Sequence, residues 1–162
     1  MSEPLAIDAR GQALTGFDRH PEITGSVHRV VPCPFALVVL EAEGGLLLGL
    51  NRGRGEWELP GGLLGGETPR RAAARELLGE TGVQCPDDQL RWVGLAEFAL
   101  VDPPRTELAA VFVAISERRP AVQRSDELTE VGWFRPGDPL AVHSPLDLTI
   151  AEIALEDAPG RF

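Results

Sequence analysis

Long apolar stretches are missing from this chain of 162 residues. None approaches the roughly 18 residues that mark a membrane-crossing helix. The opening MSEPLAIDAR lacks the apolar centre of a secretory leader, so the expectations are a cytoplasmic location and no membrane partner. Cysteine is scarce. Cys33 and Cys85 lie far apart in no zinc-binding spacing, which excludes a disulfide framework and fits reduced structural thiols. Positive charge is also short: 15 Lys and Arg stand against 25 Asp and Glu, for a net charge of −10. That balance disfavours nonspecific attachment to nucleic acid or to an anionic membrane. An anionic ligand must therefore be met by local arginines and a metal ion. There is no internal repeat and no low-complexity tract. Apolar residues at 43% and charged residues at 25% are ordinary globular values, and the length suits one domain.

Residues 57–83, WELPGGLLGGETPRRAAARELLGETGV, are the most informative stretch. Thr68 is a good helix N-cap and Pro69 fits the first helical position. The Ala-, Leu- and Arg-rich run that follows has high helix propensity, and Gly82 supplies a stop. Glu76 and Glu80, four apart, share one helix face with Cβ atoms roughly 5–6 Å apart. Glu67 enters from the preceding loop. Glutamates at such spacing are commonly a solvated face, but the loop argues otherwise. Leu59-Pro60-Gly61-Gly62 and Gly65-Gly66 leave a backbone with few Cβ atoms, able to approach a ligand and aim a carbonyl or N–H at it. Converging carboxylates call for a hard divalent cation. Arg75 can orient one of them with its two-pronged donor.

This stretch resembles the box of the Nudix hydrolases, whose signature is Gly, five residues, Glu, seven residues, Arg-Glu-apolar-any-Glu-Glu-any-Gly-apolar. Gly61, Glu67, Arg75, Glu76, Leu77, Glu80, Gly82 and Val83 stand at those positions, and Trp57-Glu58-Leu59-Pro60-Gly61-Gly62 is similar to the strand that leads into the box. The resemblance implies an α/β fold, the Nudix-type α/β/α sandwich with a mixed curved sheet between helices. It spans residues 25–162 as one domain behind a lead-in of residues 1–24. It implies hydrolysis of a diphosphate linkage in a nucleoside diphosphate joined to another moiety, with Mg²⁺, or Mn²⁺ in its place. Glu76, Glu80 and Glu67, with a carbonyl of Gly61 or Gly62, are the implied metal ligands. Arg75 holds the carboxylates, and Glu76 or Glu127 serves as base. The partner is a small-molecule nucleoside diphosphate derivative. The lead-in can cover the substrate site or join a dimer interface, so a homodimer stays open. Two departures stand out. Gly79 replaces the first of the two adjacent glutamates, and Leu63-Leu64-Gly65 is one residue shorter than the usual spacer. They keep open an alternative, a Nudix-fold nucleotide-binding or sensor module without turnover.

Elsewhere, strands are expected over residues 27–31 and 35–40, separated by Pro32-Cys33-Pro34, and over 46–50 after the hairpin signal Gly44-Gly45. A short strand is expected near residues 12–15. The basic loop Asn51-Arg52-Gly53-Arg54-Gly55 places Arg52 and Arg54 to neutralise substrate phosphates, with solvated loop arginines as the alternative. Two long strands are expected over 91–101 and 107–115. The acidic loop before Val131-Gly132-Trp133-Phe134 is similar to the region from which some family members recruit a further glutamate, here Glu127. Leu146, Ile150, Ile153 and Ala154 form one helical stripe over 145–154.

Overall fold

The apolar runs of the two central strands explain the architecture. β3 (Phe35–Ala42, FALVVLEA) and β8 (Pro104–Ser116) pair in parallel, from Phe35↔Ala109 to Ala42↔Ser116. Strands buried on both faces read as nearly continuous hydrophobic sequence. Here alternate side chains serve opposite layers. Ala36, Val38 and Leu40 of β3 and Ala110, Phe112 and Ala114 of β8 pack with Ala72, Ala73 and Leu77 of helix α1 (Pro69–Thr81). Val39, Ala109, Val111 and Val113 pack with Leu146, Ile150, Ala151 and Ala154 of helix α2 (Pro145–Glu156). The result is a sheet between two helices, the expected α/β/α sandwich. Phe112 and Ile150 are fully buried, and burial of a side chain of this size stabilises by about 1.5–3 kcal/mol. This computed structural model describes residues 2–25 and 32–156. The strand expected over 27–31 lies outside the described residues.

The remaining strands are β1 (Ala6–Ile7), β2 (Ala13–Asp18), β4 (Gly45–Asn51), β5 (Trp57–Glu58), β6 (Gly61–Leu63), β7 (Arg91–Val101) and β9 (Leu128–Phe134). The sheet order is β1-β2-β7-β8-β3-β4-β5, with β6 on β3 and β9 on β4. A tight reversal over Glu43 and Gly44, both at positive φ (51° and 75°), joins β3 to β4, as a two-residue hairpin requires. β4 pairs with β3 in the ladder only at Glu41↔Leu46 and Ala42↔Gly45, while β6 takes the start of β3, from Phe35↔Leu63 to Leu37↔Gly61. The sheet thus divides beside β6, and a cleft opens there. At the other edge, the short strand expected near residues 12–15 is longer. β2 pairs antiparallel with β7, from Ala13↔Ala99 to Asp18↔Leu95, and Leu14 is fully buried.

Helix α1 starts and stops where its sequence dictates. The Thr68 Oγ1 accepts from the Arg71 N–H, Pro69 opens the helix, and Gly82 at φ 77° donates its N–H to the Leu78 carbonyl. Gly79 is exposed, and a Cβ built on it meets nothing within 4 Å. Glycine in a helix interior costs roughly 0.5–1 kcal/mol relative to alanine. Gly79→Ala should therefore raise Tm by about 1–4 °C; an unchanged or lower Tm in a thermal melt would contradict this account. Helix α2 runs beyond the expected 154 to Glu156, with Leu155 buried and Ile153 only half-buried. Among the described residues no helix is long and apolar enough to cross a membrane.

Candidate metal and ligand site

Two glycines of β6 let helix α1 settle against the strand. The Gly61 N–H donates to Glu80 Oε1 at 2.8 Å. A Cβ on Gly62 would stand 2.6–2.9 Å from the carboxyl atoms of Glu76, so only glycine leaves that carboxylate its place. Glu127 arrives from the loop before β9. Oxygens of Glu76, Glu80 and Glu127 all lie within 4.8 Å of one another. Arg75 fixes the periphery. Its Nη1 donates to Glu76 Oε1 at 2.6 Å, its Nε donates to Glu67, and its Nη2 donates to the Leu63 carbonyl at 2.9 Å.

Crowding of like charge has a measurable consequence. Burial, then the charges of Glu127 and Glu76, push the Glu80 carboxyl up to about 8, against the opposing pull of the Gly61 N–H. A cation among the three oxygens would reverse that penalty, which is why the donor set fits a hard divalent ion.

A cleft of about 510 Å³ runs from these carboxylates over an apolar floor that includes Phe35, Phe98 and Leu100. β5 and the first turn of α2 also contribute to its wall, through Glu58 and Asp147. Glu58 and Arg54 form a forked ion pair at 2.5 and 2.8 Å. Arg10 donates to Glu56 at 2.8 Å. Asp147 Oδ2 accepts the Leu59 N–H at 2.8 Å. Burial above all, with the neighbouring Glu58 charge, raises the Asp147 carboxyl to about 7. Burial also raises Glu58, although Arg54 pulls the other way.

Of the residues singled out in the sequence, Glu76, Glu80 and Glu127 come together beside Gly61 and Gly62. Glu67 does not join the three; it is held by Arg75. Arg54 lines the cleft, but its guanidinium is engaged by Glu58. Arg52 lies outside the cleft, in a separate surface hollow with Arg124 and Asp126. Its N–H donates to the Glu127 carbonyl at 2.8 Å and its Nε to the Asp126 carbonyl at 2.9 Å, so it braces the loop that carries Glu127. Asp8, Arg10, Glu56, Glu58, Arg105 and Asp147 also line the cleft, and no motif in the sequence marks them for it. Two of them carry ordinary local signals instead. Asp8 accepts the N–H groups of Arg10 and Gln12 in a turn, and Asp147 follows the capping hydroxyl of Ser144.

A sheet between two helices, with a carboxylate-bearing helix pressed on a diglycine strand, defines a fold that recurs widely. The profile of the NUDIX domain matches residues 33–153, and the chain belongs to that family. A "MutT-like protein" of Streptomyces ambofaciens is 37% identical over 103 residues, which are 62% of this chain and 62% of that protein. The chain thus spans about three fifths of the curated relative it matches. Among solved structures, the pyrophosphohydrolase BsRppH of Bacillus subtilis superposes with a TM-score of 0.67 at 17% identity, covering 96% of this chain and 97% of that one. The NUDIX domain of Shewanella oneidensis NrtR, complexed with ADP ribose, gives 0.66 at 19% identity, covering 79% and 89%. A bifunctional NMN adenylyltransferase/ADP ribose pyrophosphatase of Francisella tularensis, complexed with AMP and a Mn ion, gives 0.63 at 22%, covering 80% and 43%.

Proposed function

We propose that this chain is a divalent-metal-dependent pyrophosphohydrolase acting on a nucleoside diphosphate joined to another moiety. The observation that carries the proposal is the convergence of Glu76, Glu80 and Glu127 within 4.8 Å at the mouth of a cleft. These three residues would hold Mg²⁺, or Mn²⁺ in its place, with the Gly61 or Gly62 carbonyl as a further oxygen donor. When bound, the ion neutralises diphosphate oxygens and acidifies a coordinated water. The protein's own tasks are then positional. Arg75 locks Glu76 in one orientation and keeps Glu67 in reserve at the rim. Glu80 stays fixed by the Gly61 N–H. Glu127, the exposed member of the three, would offer its second carboxylate oxygen to take a proton from the attacking water, with Glu76 as the other candidate base. ADP ribose and AMP, bound by two structural neighbours, support a nucleotide-derived small molecule as the ligand. The net charge of −10 keeps the expected partner a small nucleotide derivative and not a nucleic acid. A cytoplasmic location belongs to the same proposal.

Gly79 favours one second reading, a nucleotide-binding module without turnover. The experiment that separates the two is a panel of nucleoside diphosphate derivatives with Mg²⁺ or Mn²⁺, read by phosphate release with a coupled phosphatase. Metal-dependent release that disappears in EDTA is expected. Nucleotide-induced thermal stabilisation with no product from any compound would replace the hydrolase by the binder.

A further inference from the structure

The cleft is lined by seven carboxylates, from Asp8, Glu56, Glu58, Glu76, Glu80, Glu127 and Asp147, and by the arginines Arg10, Arg54 and Arg105. Three of the carboxylates are assigned above to the cation. Each of the arginines already has a carboxylate partner. Arg54 is engaged by both oxygens of Glu58, Arg10 by Glu56, and Arg105 by Glu107 at 2.8 Å. Asp147 has no cation of its own. One of its oxygens takes the Leu59 N–H, and the other has no hydrogen-bond partner among the described residues. The floor beneath this wall is apolar, so charge is poorly screened there.

We infer that the wall formed by Glu58 and Asp147 sets substrate class: the cleft accepts a nucleoside diphosphate whose attached group is uncharged and bears hydroxyl or amino donors. A group with an additional carboxylate or phosphate is rejected. The inference rests on the proposed binding of a nucleotide in this cleft, with its diphosphate at the α1 carboxylates. Hydroxyl or amino hydrogens would be received by the open oxygen of Asp147 and the lone pairs of Glu58. An extra anion would meet carboxyl groups and no unpaired guanidinium, an arrangement that discriminates by repulsion. Glu58 acts twice, since it also occupies Arg54. Replacing it with an uncharged residue both removes a negative charge and releases a positive one.

The test uses two matched pairs, ADP-ribose against its 1″-phosphate, which carries the extra charge on the distal ribose, and UDP-glucose against UDP-glucuronate. Each is measured at about pH 8.5, where Asp147 is ionised, with Mg²⁺ for kcat/KM and by calorimetry for affinity, on the wild type and on Glu58→Gln and Asp147→Asn. Wild type should prefer the uncharged member of whichever pair it takes by at least about tenfold. Glu58→Gln should bring that preference down to about threefold or less, chiefly by improving the charged member. Asp147→Asn, which keeps an acceptor for the Leu59 N–H, should move it the same way by a smaller factor and serves as the deciding variant if Glu58→Gln melts early. Equal handling of both members by wild type overturns the inference. So does failure to bind either uncharged member, and so does a wild-type preference that survives in a folded variant. Binding with the expected preference but no turnover would defeat the hydrolase reading and leave this inference standing.

Discussion

Glu80→Gln should abolish metal-dependent hydrolysis while making the metal-free protein more stable than wild type at alkaline pH. The two effects have one origin. The folded-state pKa of Glu80, about 8, lies above its ordinary 4.5, so the folded chain binds this proton more tightly than the unfolded chain does. The cost of ionising the carboxyl in place is absent below about pH 4.5, grows between the two values and is complete above about pH 8. Each tenfold change in proton affinity corresponds to about 1.4 kcal/mol, so a few kcal/mol are at stake. Glutamine keeps an acceptor for the Gly61 N–H and cannot ionise, so the cost vanishes. In EDTA the variant should melt several degrees above wild type at alkaline pH and level with it in acid. With Mg²⁺ the order should invert, because the variant has lost a charged ligand and gains less from the ion. Activity should fall by at least about 100-fold, the size expected when several kcal/mol of charge stabilisation are lost. Wild-type turnover by the variant would mean that Glu80 does not hold the cation, and equal melting in EDTA across the pH range would mean that its ionisation carries no folding cost.

The second large effect is expected at Gly61→Ala. A Cβ there would stand 2.3 Å from the Ala36 carbonyl oxygen, 2.8 Å from Leu37 Cδ2 and 3.0 Å from Leu37 Cα. Two of these are backbone atoms of the central strand β3, which cannot swing aside as a flexible side chain would. β6 must therefore back away from β3, and overpacking of this kind costs about 1–3 kcal/mol. The same displacement carries the Gly61 N–H away from Glu80, so activity should fall together with Tm. Gly62→Ala makes an instructive control. The three atoms nearest its Cβ all belong to the Glu76 carboxyl, so activity and metal affinity should suffer more than the melting temperature. Equal Tm for wild type and Gly61→Ala would show that β6 is not seated as described.

Helix α1 is legible in the sequence because everything that defines it is local: a Thr-Pro start, a run of strong helix formers and a glycine stop. The i,i+4 relation of Glu76 and Glu80 follows from helix geometry alone. The approach of Glu127 does not; only the resemblance of the acidic loop before Val131-Gly132-Trp133-Phe134 to a glutamate-donating loop of the family points to it. Arg52 and Arg54 sit in the loop that the sequence marks as basic. Where their guanidinium groups point is decided by partners far along the chain or across a turn, namely Asp126 and Glu58. Glu58 and Asp147 lie 89 positions apart, and each has an innocuous local role, in a strand and in a helix's first turn. Only the fold joins them, so no motif could mark the pair. The N-terminal strands are understated in the sequence for a similar reason. Their burial comes from β7, and Gly16 weakens the local strand signal.

One consequence of the β1–β2 hairpin concerns how the protein is handled at the bench. Asp8, Arg10 and Gln12 line the cleft, and Arg10 clasps Glu56. A shortened form starting after Leu14 would retain the acid-bearing helix and score as family by its signature. Its cavity would nonetheless be missing a side, and the released Glu56 would add one more unbalanced charge. Selectivity recorded with such a fragment, or with a bulky tag fused close to Leu5, would describe the altered cavity and not the native one.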